Sequence, residues 1–212
     1  AGNQRPFSRP GGLYRNGGKR AFEVVLILLA APVVVPLVLL IAVLVACDGH
    51  APFFAQKRIG RGGKVFRIWK LRSMVVDAES RLREHLESDP EALAQWQQHQ
   101  KLKCDPRITR VGRIIRKISA DELPQLLNVL NGSMSLVGPR PMMVGQRHMY
   151  AGRAYRQLRP GITGLWQISA RNESEFVARV RYDDEYHRIL SFGTDLRILA
   201  RTVLVVLRGT GY

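Results

Sequence analysis

The stretch SADELPQLLNVLNGSMSLVGPRP, residues 119–141, combines two adjacent carboxylates with cationic side chains. Asp121 and Glu122 stand before an apolar run, Arg116 precedes them by about one helical turn, and Arg140 follows in Gly-Pro-Arg-Pro. An aspartate can attack phosphorus to give an acyl phosphate. Guanidinium groups bind phosphate oxygens through two parallel hydrogen bonds, and Mg²⁺ prefers one or two carboxylates together with phosphate oxygens. The pattern therefore indicates phosphoryl-transfer chemistry.

The same residues also fit a helix N-terminus. Ser119-x-x-Glu122 has the spacing of a capping box, and Asp121 could itself be the N-cap, with Pro124 in the first turn. A carboxylate in that position faces the positive end of the peptide dipoles and stays ionised, and the same position accepts a phosphate. We therefore interpret the acidic pair as both cap and catalyst.

The sequence patterns around this pair predict a predominantly α (α+β) fold, with amphipathic interfacial helices and a small helical catalytic domain. Apolar and basic residues alternate over 53–74 around Gly60, Gly62 and Gly63, which predicts a short β-hairpin. Helical patterns cover the following ranges: 75–100, interrupted at Asp89-Pro90; 105–119, with an arginine-rich second face; 122–130; and 195–212, which suits a helix in the headgroup plane.

Residues 21–46 form an apolar segment whose one charge is Glu23. The segment is long enough to cross a bilayer core of roughly 30 Å. Pro32 and Pro36 interrupt its backbone hydrogen bonding, and basic residues flank it on both sides, which would keep both ends in the cytoplasm. The residues alone leave two alternatives open: a re-entrant helix bent at Pro36, or a kinked helix that spans the membrane.

The chain has 33 Lys and Arg against 17 Asp and Glu, a formal charge of +16, which indicates a polyanionic partner such as nucleic acid, anionic lipid or a phosphorylated substrate. Cys47 and Cys104 match no metal or redox spacing, so a reducing compartment is the simpler inference. No helix-turn-helix or aromatic-basic motif supports nucleic-acid binding. A membrane-anchored basic scaffold or nucleic-acid-binding protein without catalysis remains the alternative to an enzyme.

Three motifs together resemble the bacterial sugar transferases, the small monotopic polyprenyl-phosphate sugar-1-phosphate transferases. They are FFAQKRIGRGGKVFRIWKLRSM, DPRITRVGRIIRKISADELPQLLNVLNGSMSLVGPRP and LRPGITGLWQISAR. The similarity runs from about Lys19 to the C-terminus. It implies transfer of a sugar-1-phosphate from a UDP-sugar to undecaprenyl phosphate, with Mg²⁺ as cofactor, UMP as product and a ping-pong mechanism. The C-terminal part looks most like the exopolysaccharide-initiating subgroup, which implies galactose or glucose.

The resemblance also implies residue roles. Asp121 would be the nucleophile, and Glu122 would assist the metal, which both carboxylates would bind, or the second half-reaction. Other residues would bind substrate, mostly on its phosphate side: Lys70, Arg116, Arg140, Pro141, Arg171 and Asp195. Pro36 would break the membrane helix. Trp166 is the residue to test for uracil stacking.

The resulting organisation has three parts: a flexible basic tail (1–18), a re-entrant membrane helix (19–47) and a membrane-associated catalytic domain (48–212). The resemblance implies the bacterial cytoplasmic (inner) membrane, with the catalytic domain on the cytoplasmic face. The expected partners are a UDP-sugar, undecaprenyl phosphate and anionic membrane lipids, without nucleic acid and with a homo-oligomer left open.

Overall fold

The structure is a computed structural model that describes residues 12–99, 102, 104–169 and 178–207. Within these ranges the chain is mainly helical, as the sequence predicts, and it carries two small sheets. The helices are α1 (Lys19–Ala46), α2 (Ala78–Ser88), α3 (Pro90–His99), α4 (Arg110–Lys117), α5 (Leu126–Leu130), α6 (Ala154–Gln157), α7 (Leu165–Ser169), α8 (Arg179–Ile189) and α9 (Phe192–Leu207). The strands are β1 (Phe53–Ile59), β2 (Val65–Leu71), β3 (Ser135–Val137) and β4 (Gly161–Thr163).

The predicted hairpin is confirmed as the antiparallel pair β1–β2, with Phe53 opposite Leu71 and Ile59 opposite Val65. Its turn contains Gly62 at φ 70°, in the left-handed region that glycine adopts without a Cβ penalty. Asn128 of α5 fixes the second strand, because its amide accepts from the Trp69 N–H at 3.1 Å and donates to the Arg67 carbonyl at 2.8 Å. These bonds hold the backbone next to Lys70 in place.

The second sheet is a short parallel pair, β3–β4, which the sequence analysis did not predict. Gly138 donates to the Thr163 carbonyl at 2.8 Å, and Gly161 donates to the Pro139 carbonyl at 2.8 Å. A Cβ on Gly161 would lie 2.1 Å from the Gly138 nitrogen, so only glycine allows this approach. The close contact fixes the Gly-Pro-Arg-Pro loop, and therefore Arg140, against the start of β4.

Helix α1 is long and apolar enough to cross a membrane, and most of its middle part is exposed. It continues through Pro32 and Pro36 instead of separating into two helices at the predicted break. Each proline removes one backbone donor, which weakens a helix locally without necessarily ending it. Residues 14–18, which belong to the predicted flexible tail, form a π-helical turn in front of α1, and residues 1–11 lie outside the described ranges.

Both ends of α1 pack against the same domain. Near the start, Glu23 is 2% exposed, accepts a hydrogen bond from the Leu136 N–H at 2.9 Å, and also accepts from the Ser135 hydroxyl. Near the end, Val45 belongs to a buried cluster with Leu71 and Ile115. The exposed apolar stretch therefore lies between two anchored ends.

The amphipathic character predicted for the last helix is confirmed for α9 as far as residue 207; residues 208–212 lie outside the described part. Ile198 is buried in the main core, whereas Leu196, Val203 and Leu204 are exposed. The predicted interruption at Asp89-Pro90 is also confirmed, since it separates α2 from α3.

Helix α4 is shorter than the predicted range 105–119, and its apolar face is only partly buried. Ile115 is in the core, but Ile114 and Ile118 are 65% and 45% exposed. Leu127 and Leu130 on the neighbouring α5 are also exposed. Periodicity alone cannot show that these four apolar side chains are exposed instead of buried in a core.

Candidate active site

The acidic pair lies in a short 3₁₀ helix, Ala120–Gln125, that joins α4 to α5. Ser119 precedes it with φ 55°, in the left-handed region, and its side chain does not cap the helix. Glu122 donates its backbone N–H to the Ser119 carbonyl at 3.2 Å, and Asp121 lies within the helix instead of at its N-cap. Neither capping interpretation is therefore correct, and the left-handed turn at Ser119 is the reason.

Lys70 of β2 connects the two carboxylates. Its Nζ lies 2.8 Å from Glu122 Oε1 and 3.3 Å from Asp121 Oδ2. Arg140 Nη2 lies 3.5 Å from the same glutamate oxygen. The structure thus brings together four residues that the resemblance marked separately, from β2, the 3₁₀ helix and the Gly-Pro-Arg-Pro loop.

The pKa of the Asp121 carboxyl is raised above its usual value. Burial is the largest cause and raises it, the Lys70 ammonium lowers it, Glu122 raises it and Arg116 lowers it. Arg116, at the end of α4, therefore acts on Asp121 through its charge, as its position one turn before the pair suggested. A buried aspartate whose ionised form is favoured mainly by one adjacent cation is a poorly solvated nucleophile.

Lys70→Met should move the acid limb of the kcat/KM–pH profile to higher pH. Removing the ammonium removes the largest influence that lowers the pKa of Asp121, so a higher pH is needed to ionise it. The profile of Lys64→Met, which removes an exposed lysine from the same hairpin, should resemble that of the parent protein. An acid limb that stays in place in Lys70→Met would show that Lys70 does not control the ionisation of Asp121.

A cleft opens beside the pair. It is lined by Arg58, Ile68, Lys70, Glu122, Gln125, Arg140, Pro141, Gly161 and Ile162. Of the predicted site residues, Lys70, Glu122, Arg140 and Pro141 line this cleft. Asp121 and Arg116 do not line it, and Asp121 is connected to it through Lys70. The cleft is therefore the place where a phosphate-bearing substrate can approach the acidic pair.

Asp121 and Glu122 fit a Mg²⁺ ion that is completed by substrate. Among the residues that the structure describes, no group of three or more His, Cys, Asp or Glu side chains could hold a metal without further ligands. Two adjacent carboxylates next to a phosphate cleft are the protein ligands that Mg²⁺ commonly uses, with phosphate and water oxygens supplying the remainder. The donor set is thus compatible with the predicted cofactor.

Asp195, predicted to bind substrate, belongs to a different environment. It is 1% exposed and accepts hydrogen bonds from Tyr14 at 2.7 Å, Lys19 at 2.5 Å and Tyr186 at 2.7 Å. It therefore ties the start of α1 to α8 and α9 and does not line the cleft. Arg171, the other residue carried over with it, lies outside the described residues.

Trp166 and Asp183 do not line the cleft. Trp166, the residue suggested for uracil stacking, is 5% exposed, and the Arg179 guanidinium lies 4.2 Å from the centre of its ring, so its ring already stacks on an arginine. Asp183 of α8 accepts a hydrogen bond from the Tyr150 hydroxyl at 2.6 Å.

Arg58 and Gln125 line the cleft but were not singled out from the sequence. A signal for Arg58 was present in the hairpin pattern. In the hairpin, Arg58 lies opposite Phe66 and Phe54 lies opposite Lys70. Side chains alternate along a strand, so Phe54 and Arg58 are on one face of β1, and Lys70 is on that face too. Gln125 lies one turn after Asp121, and nothing in its local sequence marks it.

Comparison with known proteins shows which family the chain resembles. The family described as bacterial sugar transferase matches residues 14–209. The chain is 45% identical over 195 residues to the "UDP-galactose-lipid carrier transferase" of Erwinia amylovora, and 44% identical over 195 residues to the "Undecaprenyl-phosphate galactose phosphotransferase" of Salmonella typhimurium. Each match covers 91% of this chain and 41% of the relative, so the chain spans less than half the length of these two proteins.

A smaller relative is matched over most of its length. The "Exopolysaccharide production protein ExoY" of Sinorhizobium fredii is 42% identical over 196 residues, which covers 91% of this chain and 87% of the relative. The family match and these identities extend over the hairpin, the acidic pair and the Gly-Pro-Arg-Pro loop. This chain therefore belongs to the bacterial sugar transferase family.

Proposed function

We propose that the protein transfers a hexose-1-phosphate, from UDP-galactose or UDP-glucose, to undecaprenyl phosphate and releases UMP. The observation that carries this proposal is a buried aspartate, Asp121, held by Lys70 beside Glu122 and Arg140 at the edge of a cleft. The names of the relatives from Erwinia and Salmonella, which refer to galactose transfer to a lipid carrier, support the same substrate class. The reaction would begin an exopolysaccharide or related glycan.

The first half-reaction follows from the position of Asp121. One carboxylate oxygen attacks the phosphorus that carries the sugar and forms a new O–P bond. The bond from that phosphorus to the bridging oxygen breaks, and the electron pair leaves with UMP. Lys70 and Arg140 hold the diphosphate oxygens and offset the charge that develops on them, so alignment and electrostatics both lower the barrier.

The second half-reaction regenerates the carboxylate. A phosphate oxygen of undecaprenyl phosphate attacks the same phosphorus, the bond to Asp121 breaks, and the lipid-linked diphosphate sugar is released. Burial of Asp121 limits access of water, which would otherwise hydrolyse the acyl phosphate. When bound by Asp121 and Glu122, Mg²⁺ supplies additional positive charge to the diphosphate oxygens.

We propose that α1 is a re-entrant helix at the cytoplasmic face of the inner membrane, and its packing supports the re-entrant topology. Arg20 donates to the Leu130 carbonyl at 2.6 Å near the helix start, and Arg72 donates to the Val45 carbonyl at 3.0 Å near its end. A helix that crossed the bilayer would place its ends on opposite sides. Since both ends contact one domain, we infer that the helix enters and leaves by the same face.

The exposed apolar side chains of α4, α5 and α9 extend this membrane-facing surface. They are Ile114, Ile118, Leu127, Leu130, Leu196, Val203 and Leu204. Basic residues on the same helices, including Arg113 and Arg201, are exposed and suit anionic headgroups. Such docking would bring the cleft close to a phosphate that is anchored in the membrane by its lipid tail.

An assay of the released nucleotide tests the proposed function. Purified protein in lipid nanodiscs would be given Mg²⁺, undecaprenyl phosphate and, separately, UDP-galactose, UDP-glucose and UDP-N-acetylgalactosamine. We expect UMP and a lipid-linked diphosphate sugar in equal amounts with at least one hexose donor. Release of UDP would show that the sugar moves without its phosphate, and no product with any donor would contradict the proposal.

A further inference from the structure

Arg58 lies at the end of β1 on the face that also carries Ile68 and Lys70, and all three residues line the cleft. The backbone at this point is fixed, because the Ile59 N–H donates to the Met142 carbonyl at 3.0 Å and the Tyr155 hydroxyl donates to the Ile59 carbonyl at 2.5 Å. The guanidinium is thus held at the cleft by the hairpin and by the segment after Gly-Pro-Arg-Pro.

The guanidinium of Arg58 is poorly satisfied. Its Nη2 donates to Gln56 Oε1 at 2.6 Å, whereas its Nε is buried without an acceptor. Within the described part of the chain, no carboxylate lies within 4.0 Å of it, in contrast to Lys70, which contacts two. Partial burial of a cation without a paired anion costs free energy, because the charge loses part of its hydration. The position of such a cation at a substrate cleft therefore points to an anion that arrives with the substrate.

Arg58 is also close to other cations. Burial and the charge of Arg140 lower the pKa of Arg58 to about 10, and the same two causes lower the pKa of Arg179 to about 10. Carboxylates only partly offset this repulsion: Glu122 acts on Arg58 and Asp183 acts on Arg179. Burial raises the pKa of Asp183 to about 7, so this carboxyl is only partly ionised near neutral pH.

The three cations that line the cleft have different partners. Lys70 contacts both carboxylates and Arg140 contacts Glu122, whereas no carboxylate in the described part of the chain lies within 4.0 Å of Arg58. A diphosphate has two phosphate groups, of which only the one bonded to the sugar meets Asp121. Arg58 is therefore the lining cation that remains for the second group.

We propose that Arg58, together with Arg140, binds the phosphate that departs with the nucleoside. This inference rests on the proposed transfer from a UDP-sugar and names the part of the cleft that holds the leaving group. The guanidinium fork of Arg58 donates to the oxygens of that phosphate and stabilises the negative charge that it gains when the bridging bond breaks. Arg58 is thus a substrate-binding residue for the first half-reaction only.

Arg58→Gln tests the inference, with Lys57→Gln as the matched control. Lys57 is the preceding residue, is exposed and points to the opposite face of β1. Lys57→Gln therefore removes one positive charge from the same strand without changing the cleft. Calorimetry with UMP should show affinity reduced roughly 10- to 100-fold in Arg58→Gln, the range for charge-assisted hydrogen bonds, and nearly unchanged in Lys57→Gln. Without ligand, Arg58→Gln should melt at the same temperature as the parent protein or higher, because like-charge repulsion is removed.

A half-reaction experiment separates binding from a structural role. In Arg58→Gln, formation of the phosphosugar–protein intermediate from UDP-sugar should be slowed at least roughly tenfold. Its consumption by undecaprenyl phosphate should proceed at the parental rate, since the nucleotide has already left. Arg58→Lys, which keeps the charge but not the fork, should fall between the two.

The outcomes distinguish the two claims. If Arg58→Gln keeps parental UMP affinity, or if it melts much lower and slows both half-reactions equally, the leaving-group site is contradicted while the transferase activity stands. If the parent protein forms no lipid-linked product from any UDP-sugar, the proposed function fails, and UMP binding still reports whether Arg58 holds a nucleotide phosphate. Should Arg58→Gln not fold, the same measurements on Arg58→Lys decide.

Discussion

Asp121→Asn is expected to lower the turnover number at least roughly 1000-fold while the protein remains folded, because an asparagine amide cannot form an acyl phosphate. The side chains have nearly the same shape, and the amide oxygen can still accept the hydrogen bond from Lys70 that is seen at 3.3 Å. Steady-state release of UMP from a UDP-sugar measures the effect. The melting temperature measures whether the fold survives.

The control is Asp77→Asn, the same chemical change at an exposed aspartate that pairs with Arg81 at 3.3 Å. It should change turnover less than twofold, since surface ion pairs of this kind contribute little. If Asp121→Asn retained more than a tenth of parental turnover, Asp121 would not be the nucleophile, and the buried pair would have a structural or metal-positioning role.

The second large effect concerns the anchor of the membrane helix. Asp195→Ala is expected to destabilise the protein by about 3 kcal/mol, the lower end of the range for removing one partner from a buried charged pair, because Lys19 keeps Glu23 at 3.2 Å. The substitution removes an acceptor shared by Lys19, Tyr14 and Tyr186 in one step. A lower melting temperature in nanodiscs, with faster proteolysis near residue 14, would show that the start of α1 has been released.

Glu185→Ala serves as its control, because Glu185 is an exposed carboxylate on α8. This variant should melt within a degree or two of the parent protein, as expected for a surface substitution. A different result would favour the role that the family resemblance implied: if Asp195→Ala kept the parental melting temperature and lost only affinity for the UDP-sugar, Asp195 would bind substrate after all.

Local patterns predicted the elements around the site well. Glycines with basic and apolar alternation predicted the β1–β2 hairpin, and Asp89-Pro90 predicted the boundary between α2 and α3. Both signals act within a few residues, since they depend on backbone conformation at the glycines and the proline. The roles proposed for Asp121 and its cations come from residue chemistry combined with the family resemblance.

Long-range contacts were the part that sequence could not provide. Lys70 and Asp121 are 51 positions apart, and nothing local to either shows that they meet. The parallel pair β3–β4 depends on two glycines approaching each other across the chain, and three-residue strands carry almost no periodicity. Asp195 and Lys19, 176 positions apart, likewise form their ion pair only in the folded chain.

One local pattern was misleading for a physical reason. Ser119-x-x-Glu122 has the spacing of a capping box, but the left-handed backbone at Ser119 starts a 3₁₀ helix without that cap. The isoleucine spacing of 105–119 predicted an amphipathic helix but not which isoleucines are exposed, because the pattern is the same whether its apolar face meets a core or a lipid surface.

The most direct test of covalent catalysis by Asp121 is the intact mass of the protein after brief incubation with Mg²⁺ and UDP-galactose or UDP-glucose, without lipid acceptor, followed by rapid acid quench. We expect that the mass of the parent protein rises by one hexose phosphate, that the peptide carrying Asp121 holds the added group, and that undecaprenyl phosphate removes it. Asp121→Asn should show no gain. Release of UMP with no covalent adduct at any time point, or an adduct on a peptide that lacks Asp121, would contradict covalent catalysis by Asp121.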